Sequence, residues 1–425
     1  MATSMRQVNS NEEFRTSSSD RLYSVVRQPV LDLNSRVYAY ELRWRGVSQL
    51  GGDKQAANCT LAETMAFFGL QRPSELKKLT GRMTAFVDCP EEALNDGLGQ
   101  VLPSTLTVIQ LPATLEISAG LVSTCQDLKA LGFRLAMDHL SVQPQLMPLL
   151  ELADYVKVDF RRTLPFERRE ALESMHGKTI PMLAMNIDTQ AEYRKAREDG
   201  FALIEGYYFC ESVPMRNRRP PVNQILRIDI LKSLQQSPLD SHKVSQLVTR
   251  DGPITYQLLR LVNSPLLALP QVVNSIEAAL LIVGDDAFRR IATAAIASEF
   301  CGGQPPELLC LAMVRARFCE MAGHDRNLAP FGQYLLGLLS LLPAMQGQSM
   351  SDVVPTLPLD ESVRNALLGS ANPERVLLGW LEYYERGDWA GCDAAAKANN
   401  LNQQELAKLY VDAVAWTESA LHTPA

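Results

Sequence analysis

Polar side chains collect at the ends of short apolar runs throughout the first half of this sequence. The run Phe133–Met137 leads into Asp138, and Tyr155–Val158 leads into Asp159, with Lys157 two residues before that acid. Glu41 and Arg45 close the run that follows Arg36, and Asp88 closes TAFVD. Gln110 lies near the end of LTVIQL, Asn186 and Asp188 follow TIPMLAM, and Glu205 follows FALI. Parallel α/β folds build their sites from such positions, because helices cover both faces of the sheet and the strand ends open onto loops. Side chains of these types suit catalysis or the binding of a charged ligand. They also suit an ion-pair network inherited from either role.

The elements that must position them read as alternating strands and helices. SVVRQPVLDL and RVYAYELRW form a hairpin about the Asn34-Ser35 turn. Residues 54–70 read as a helix with Ala57, Leu61, Met65 and Phe68 on one face. Strands follow at 84–88 and 106–111, a helix at about 120–131, and then the two strands bearing Asp138 and Lys157. A helix over 166–176 leads to TIPMLAM. Thr189 caps the next helix, Gly200 ends it, and FALIEGYYF reads as the last strand. Repeated βα units of this length predict a barrel.

After the basic, proline-containing stretch MRNRRPPVN the pattern changes to apolar residues at every third or fourth position, and it stays so. This predicts a chain that is α/β, then all-α. The expected organisation is a disordered lead over 1–21, a barrel over 22–214, a linker over 215–221 and a helical domain over 222–425. Ser241, Ser275 and Asp285 are expected helix N-caps.

Bulk properties narrow the function. The chain has 425 residues, 46% of them hydrophobic, enough for two or three cores. The net charge of −7 argues against a general binder of nucleic acid backbones, though a local pocket for a small anion is compatible with it. No apolar run is long enough for a membrane span. The polar first twenty residues lack the apolar core of an export signal, so a cytoplasmic location is expected. The eight cysteines include no C-x-x-C pair, and Cys301, Cys310 and Cys319 read as buried free thiols. His324-Asp325 reads as a solvated loop pair and His242 as a surface residue. Trp380, Tyr383, Tyr384 and Trp389 read first as bundle core and second as an interface patch.

The residues resemble a known combination. Gln28-Pro29-Val30-Leu31-Asp32 is similar to the Q-P-I-V-D strand of the EAL domain, the cyclic-di-GMP phosphodiesterase barrel. Glu41-Leu42-Arg43-Trp44-Arg45 resembles its E-A-L-L-R motif, keeping the first and fifth residues. Val156-Lys157-Val158-Asp159 keeps I-K-[IV]-D, and Glu205-Gly206-Tyr207 stands for Q-G-Y. The second half resembles the HDOD domain on Leu258-Leu259-Arg260-Leu261-Val262-Asn263-Ser264, Ser275-Ile276 with Ala279, and Val283-Gly284. The order of the two resembles the EAL-HDOD signalling proteins of bacteria. It implies a TIM-like (β/α) barrel of EAL type followed by an all-helical HDOD bundle.

Where the sequence departs from the pattern, the implied chemistry weakens. EAL hydrolysis is understood as a two-metal reaction in which oxygen ligands hold hard divalent ions. Here Asp88 replaces an asparagine, Gln110 a glutamate, His139 the second aspartate of D-D-F-G-T-G, and Met185 a glutamate. The resemblance therefore implies no catalytic set, with Glu41, Asp138 and Lys157 vestigial, and no cofactor. Mg²⁺ or Mn²⁺ is expected only with residual phosphodiesterase activity, on Glu41, Asp88 and Asp138. A bound nucleotide would meet Gln28, Arg45, Lys157 and Glu205. The expected function is a non-catalytic bacterial signalling protein that reaches another signalling protein through its HDOD domain, with no nucleic acid or membrane partner and an oligomeric state the sequence leaves open. The alternatives are a cyclic-di-GMP receptor without turnover and a phosphodiesterase with an altered metal set.

Overall fold

A computed structural model describes residues 22–45, 60–90, 93–94, 102–111, 118–137, 147–175, 177, 180–212 and 224–421. The expected lead over 1–21, the linker over 215–221, the start of the 54–70 helix, Asp138 and His139 lie outside the described residues.

Eight strands close into a barrel in sequence order. They are β1 (Val25–Asp32), β2 (Val37–Trp44), β3 (Thr84–Asp88), β4 (Thr107–Leu111), β5 (Arg134–Met137), β6 (Tyr155–Asp159), β7 (Met182–Met185) and β8 (Leu203–Glu205). β1 runs antiparallel to both of its neighbours, and the remaining pairs are parallel. The tight β1–β2 turn rests on Asp32, whose Oδ1 accepts from the backbone N–H groups of Asn34 and Arg36 at 2.8 and 2.9 Å.

Strand side chains alternate between the two faces, so parity decides what fills the barrel. Val30, Ala39, Phe86, Val108, Ala136, Tyr155, Leu183, Met185 and Leu203 form its own apolar cluster, separate from the larger core. Two residues further along the same faces come Gln28, Glu41, Asp88, Gln110, Lys157 and Glu205. The apolar plug thus forms the floor beneath the polar strand ends.

The first helices are α1 (Leu61–Phe67), α2 (Pro73–Thr80), α3 (Ala119–Ala130), α4 (Met147–Leu150), α5 (Pro165–Ser174) and α6 (Gln190–Asp199). α2 was not foreseen; Gly69, with φ +69°, and Pro73 break the periodic stretch and start a second helix. Thr189 and Gly200 cap α6 as expected. The strand expected over FALIEGYYF stops at Glu205. Gly206 turns the chain at φ +145°, and Tyr208–Cys210 is a 3-10 turn. A β-carbon on Gly206 would stand 2.1 Å from the carbonyl oxygen of Ile187, so only glycine fits that turn.

The second half is helical: α7 (Gln224–Leu234), α8 (Ser241–Val248), α9 (Gly252–Val262), α10 (Ile276–Val283), α11 (Asp285–Phe300), α12 (Pro306–Gly323), α13 (Pro330–Leu339), α14 (Leu342–Gln346), α15 (Met350–Val353), α16 (Glu361–Leu367), α17 (Pro373–Glu385), α18 (Trp389–Asn399) and α19 (Gln403–Leu421). Ser275 caps α10 as expected, but two of the expected caps move by one residue. Asp240 rather than Ser241 accepts the first N–H bond of α8. Gly284 precedes α11, whose Asp285 sits in the first turn, where its charge suits the helix dipole. His324 and Asp325 are exposed, as is His242, and Cys301, Cys310 and Cys319 are buried thiols outside any disulfide.

The two halves share a buried seam. α12, α17 and α19 pack against the outer face of β1 and β2. Arg27 Nη1 lies 2.6 Å from Glu418 Oε1 and donates to the carbonyl of Leu79 at 2.7 Å, while Nη2 donates to Cys310 Sγ at 3.1 Å. Its guanidinium stacks 4.1 Å over the ring of Tyr40, whose hydroxyl donates to Glu307 Oε2 at 2.9 Å. Tyr384 accepts from the N–H of Val25 and donates to its carbonyl. The aromatic group expected as core divides here: Trp380, Tyr384 and Trp389 are buried, and Tyr383 is half-exposed.

Candidate functional site at the barrel mouth

Above the apolar floor the barrel holds a compact charged cluster. Lys157, on β6, points its Nζ to Glu41 Oε2, to Gln110 Oε1 at 2.6 Å and to Glu205 Oε2 at 3.2 Å. Arg43 lies on the other side of the two carboxylates. Its Nη2 donates to Glu205 Oε1 at 2.9 Å, and its Nε stands 3.4 Å from Glu41 Oε1. Parity explains the convergence: Glu41 and Arg43 share the inward face of β2, and Gln110, Lys157 and Glu205 occupy the inward face at the ends of β4, β6 and β8. The Lys157, Glu41 and Glu205 side chains are buried.

Burial and neighbours split the two acids. Burial alone would raise the Glu41 carboxyl, but Lys157, the bond with Glu205 and Arg43 outweigh it and hold it well below the usual range. For Glu205, burial and then the Glu41 carboxylate outweigh both cations and push it up to about 8. The surroundings thus favour the proton on Glu205 and the charge on Glu41.

The residues singled out in the sequence scatter more than expected. Glu41, Lys157 and Glu205 meet. Gln28 faces Glu41 in register across the β1–β2 pair, and its Oε1 is buried without a hydrogen-bond partner. Asp88 ends β3 on the inward side, and its carbonyl accepts from Trp44 Nε1 at 3.0 Å. Arg45 does not join the carboxylates of the barrel as an inherited network would require; it pairs with Asp393 on α18. Asp159 accepts from the N–H groups of Arg161 and Arg162 and so holds the turn after β6. Asp188 pairs with Arg161.

Sequence reasoning passed over Arg43. The motif-based reading keeps the first and fifth residues of Glu41–Arg45, whereas the two-residue period of a strand puts the third beside the first. Met185, two residues beyond Leu183 on β7, belongs to the apolar plug. Among the described residues no group of three His, Cys, Asp or Glu side chains is placed to hold a metal ion, and no helix is long and apolar enough to cross a membrane.

Comparison with known proteins adds three findings. The HDOD domain model matches residues 220–333. Two curated relatives are each 27% identical: the uncharacterized protein YuxH of Bacillus subtilis (strain 168), over 93% of this chain and 98% of its own length, and the cyclic di-GMP phosphodiesterase CdgJ of Vibrio cholerae serotype O1, over 94% of both. Among solved structures, the FimX EAL domain from Pseudomonas aeruginosa bound to c-di-GMP is 18% identical, with a TM-score of 0.34, over 44% of this chain and 89% of that one. An HDOD domain thus spans residues 220–333, behind a closed eight-stranded barrel.

Proposed function

We propose that this chain is a signalling protein of the cyclic-di-GMP system whose barrel does not turn the nucleotide over, and which acts through protein contacts of its helical half. One observation carries the reading: Gln110, where the resembled family has a glutamate, offers the Lys157 ammonium an amide oxygen at 2.6 Å and brings no charge to the mouth. A pair of divalent ions needs several anionic oxygens in near-octahedral shells. Among the described inward-facing donors at the strand ends, Asp88 offers one carboxylate and the others offer little. Glu41 is engaged by Lys157 and Arg43, and Arg43 and Lys157 also take both oxygens of Glu205. Position 110 supplies an amide, and position 185 a thioether in the apolar plug. These residues do not fit a two-metal centre, and no hydrolytic step is derived through one.

Incubation of the full chain with cyclic-di-GMP and Mg²⁺ or Mn²⁺ tests this, with Glu41→Ala as the control. The expected result is no turnover above that control. Turnover abolished by Glu41→Ala would instead establish the second reading, a phosphodiesterase with an altered metal set. The likeness to the Vibrio cholerae phosphodiesterase along nearly the whole chain favours that second reading.

A further inference from the structure

Two inward-facing positions of β2, Glu41 and Arg43, and Arg45 just past its end climb from the barrel interior to its rim. The lower two are closed into the buried cluster. Arg45 continues the β1–β2 pairing, its N–H donating to the carbonyl of Ser24 at 3.1 Å, but its side chain leaves the barrel and pairs with Asp393 on α18. The two ends of that pair are 17% and 47% exposed, whereas the acids that hold Arg43 are buried. Among the charged pairs along this strand, the one at the rim has the partner that water and solutes can reach.

The corner between α17 and α18 also lies over the mouth. Gly387 takes φ +66°, and a β-carbon there would stand 3.5 Å from Cδ of Arg43. The hydroxyl of Tyr207, two residues past Glu205, donates to the carbonyl of Glu385 at 2.8 Å. Asp393 is held in place by Gln403 Nε2, which donates to its other oxygen at 2.8 Å. The helical half thus touches β2 and the segment after β8 at the height where a ligand would enter.

We propose that the α17–α18 corner is an autoinhibitory roof on the barrel mouth, in which Asp393 occupies Arg45 in place of an anionic ligand. An anion that reaches the rim exchanges with the Asp393 carboxylate for the same guanidinium, and α18 then loses its ionic tie to the barrel. Coupling of this kind is reciprocal: what loosens α18 strengthens anion binding, and the anion loosens α18 to the same degree. The inference rests on the reading of the barrel as a mouth linked to cyclic-di-GMP, and it is independent of whether turnover occurs.

Calorimetric titration of cyclic-di-GMP into the full chain tests it, on wild type, Asp393→Asn and Arg45→Ala. Hydrogen exchange over residues 389–399 is followed in the same samples, and thermal unfolding confirms that each variant is folded. Removal of an exposed pair of this type is expected to tighten nucleotide binding about threefold to fivefold in Asp393→Asn. Arg45→Ala is expected to lose that binding. Saturating nucleotide should speed exchange over 389–399 in wild type and leave it unchanged in Asp393→Asn, where it is already fast. Equal affinity in wild type and Asp393→Asn, including no binding in either, overturns the roof, as does exchange that nucleotide leaves unmoved in wild type. Turnover in these samples would overturn the proposed function and leave the roof standing.

Discussion

The same two strands carry two buried charge clusters on opposite faces. Looking into the barrel, β2 presents Glu41 and Arg43 to Lys157 and Glu205. Looking outward, β1 and β2 present Arg27 and Tyr40 to Glu418, Glu307 and Cys310 of the helical half. Each cluster pairs cations with carboxylates away from water. The outer one lies between a strand and packed helices, and its guanidinium is met by a carboxylate, a backbone carbonyl, a thiol and a ring face. The inner one lies on an apolar floor below a mouth and holds two acids of opposite tendency, one pushed towards the charged form and one towards the protonated form. Burial of charge alone therefore does not mark a ligand site. What separates the two is their surroundings: the outer cluster is closed between strands and helices, and the inner one opens through the partly exposed Arg43 to a mouth from which a ligand or a proton can reach it.

The largest effect is expected at the seam. Arg27→Ala leaves Glu418 buried without its cation, and loss of one partner of a buried pair costs about 3–5 kcal/mol. Denaturant unfolding should show that loss, and replacing both residues by leucine should recover much of it. A loss below about 1 kcal/mol, the range of exposed pairs, would mean that water reaches the seam and that the two faces are alike.

Inside the barrel, Lys157→Met should cost less, about 2 kcal/mol, because Arg43 still serves both acids and Glu205 can stay protonated. A rise in Tm in place of that loss would show that the cluster is held under strain for a ligand and would break the comparison in favour of a functional mouth. The remaining effect is read from the pH profile. The Glu205 carboxyl is raised from an ordinary 4.5 to about 8, so the folded chain keeps a proton that the unfolded chain has released. Its contribution is fully present below about pH 4.5 and is lost as pH rises towards 8. Glu205→Gln should flatten the stability profile over that window. A profile unchanged by the substitution would place the proton elsewhere.

Much of the barrel was legible because strand alternation and strand-end polarity are local signals. Glu41, Lys157 and Glu205 could be put at one mouth from the order of the runs alone. Arg43 was legible in principle, two residues from Glu41, but a motif reading steps over it. Arg45 was not legible, since its partner Asp393 is 348 residues away and nothing in the local pattern of α18 points to a barrel strand. Arg27 and Tyr384 were invisible for the same reason. One looks like an ordinary strand residue and the other like bundle core, and only packing shows that both belong to a seam.

That seam bears on how the protein is made. The backbone of residues 23–27 is bonded to Gln404, Tyr384 and Tyr410, across separations of 381, 359 and 383 residues. As the chain leaves the ribosome the eight strands are complete at Glu205, yet the outer face of β1 is not fully covered until α19 emerges roughly two hundred residues later. At about 5–20 residues per second that interval is on the order of 10–40 s. Through it Val25 and Arg27 wait for partners that do not yet exist. The barrel is therefore the part of the nascent protein that most needs shielding from other chains, although it is the first part to be synthesised.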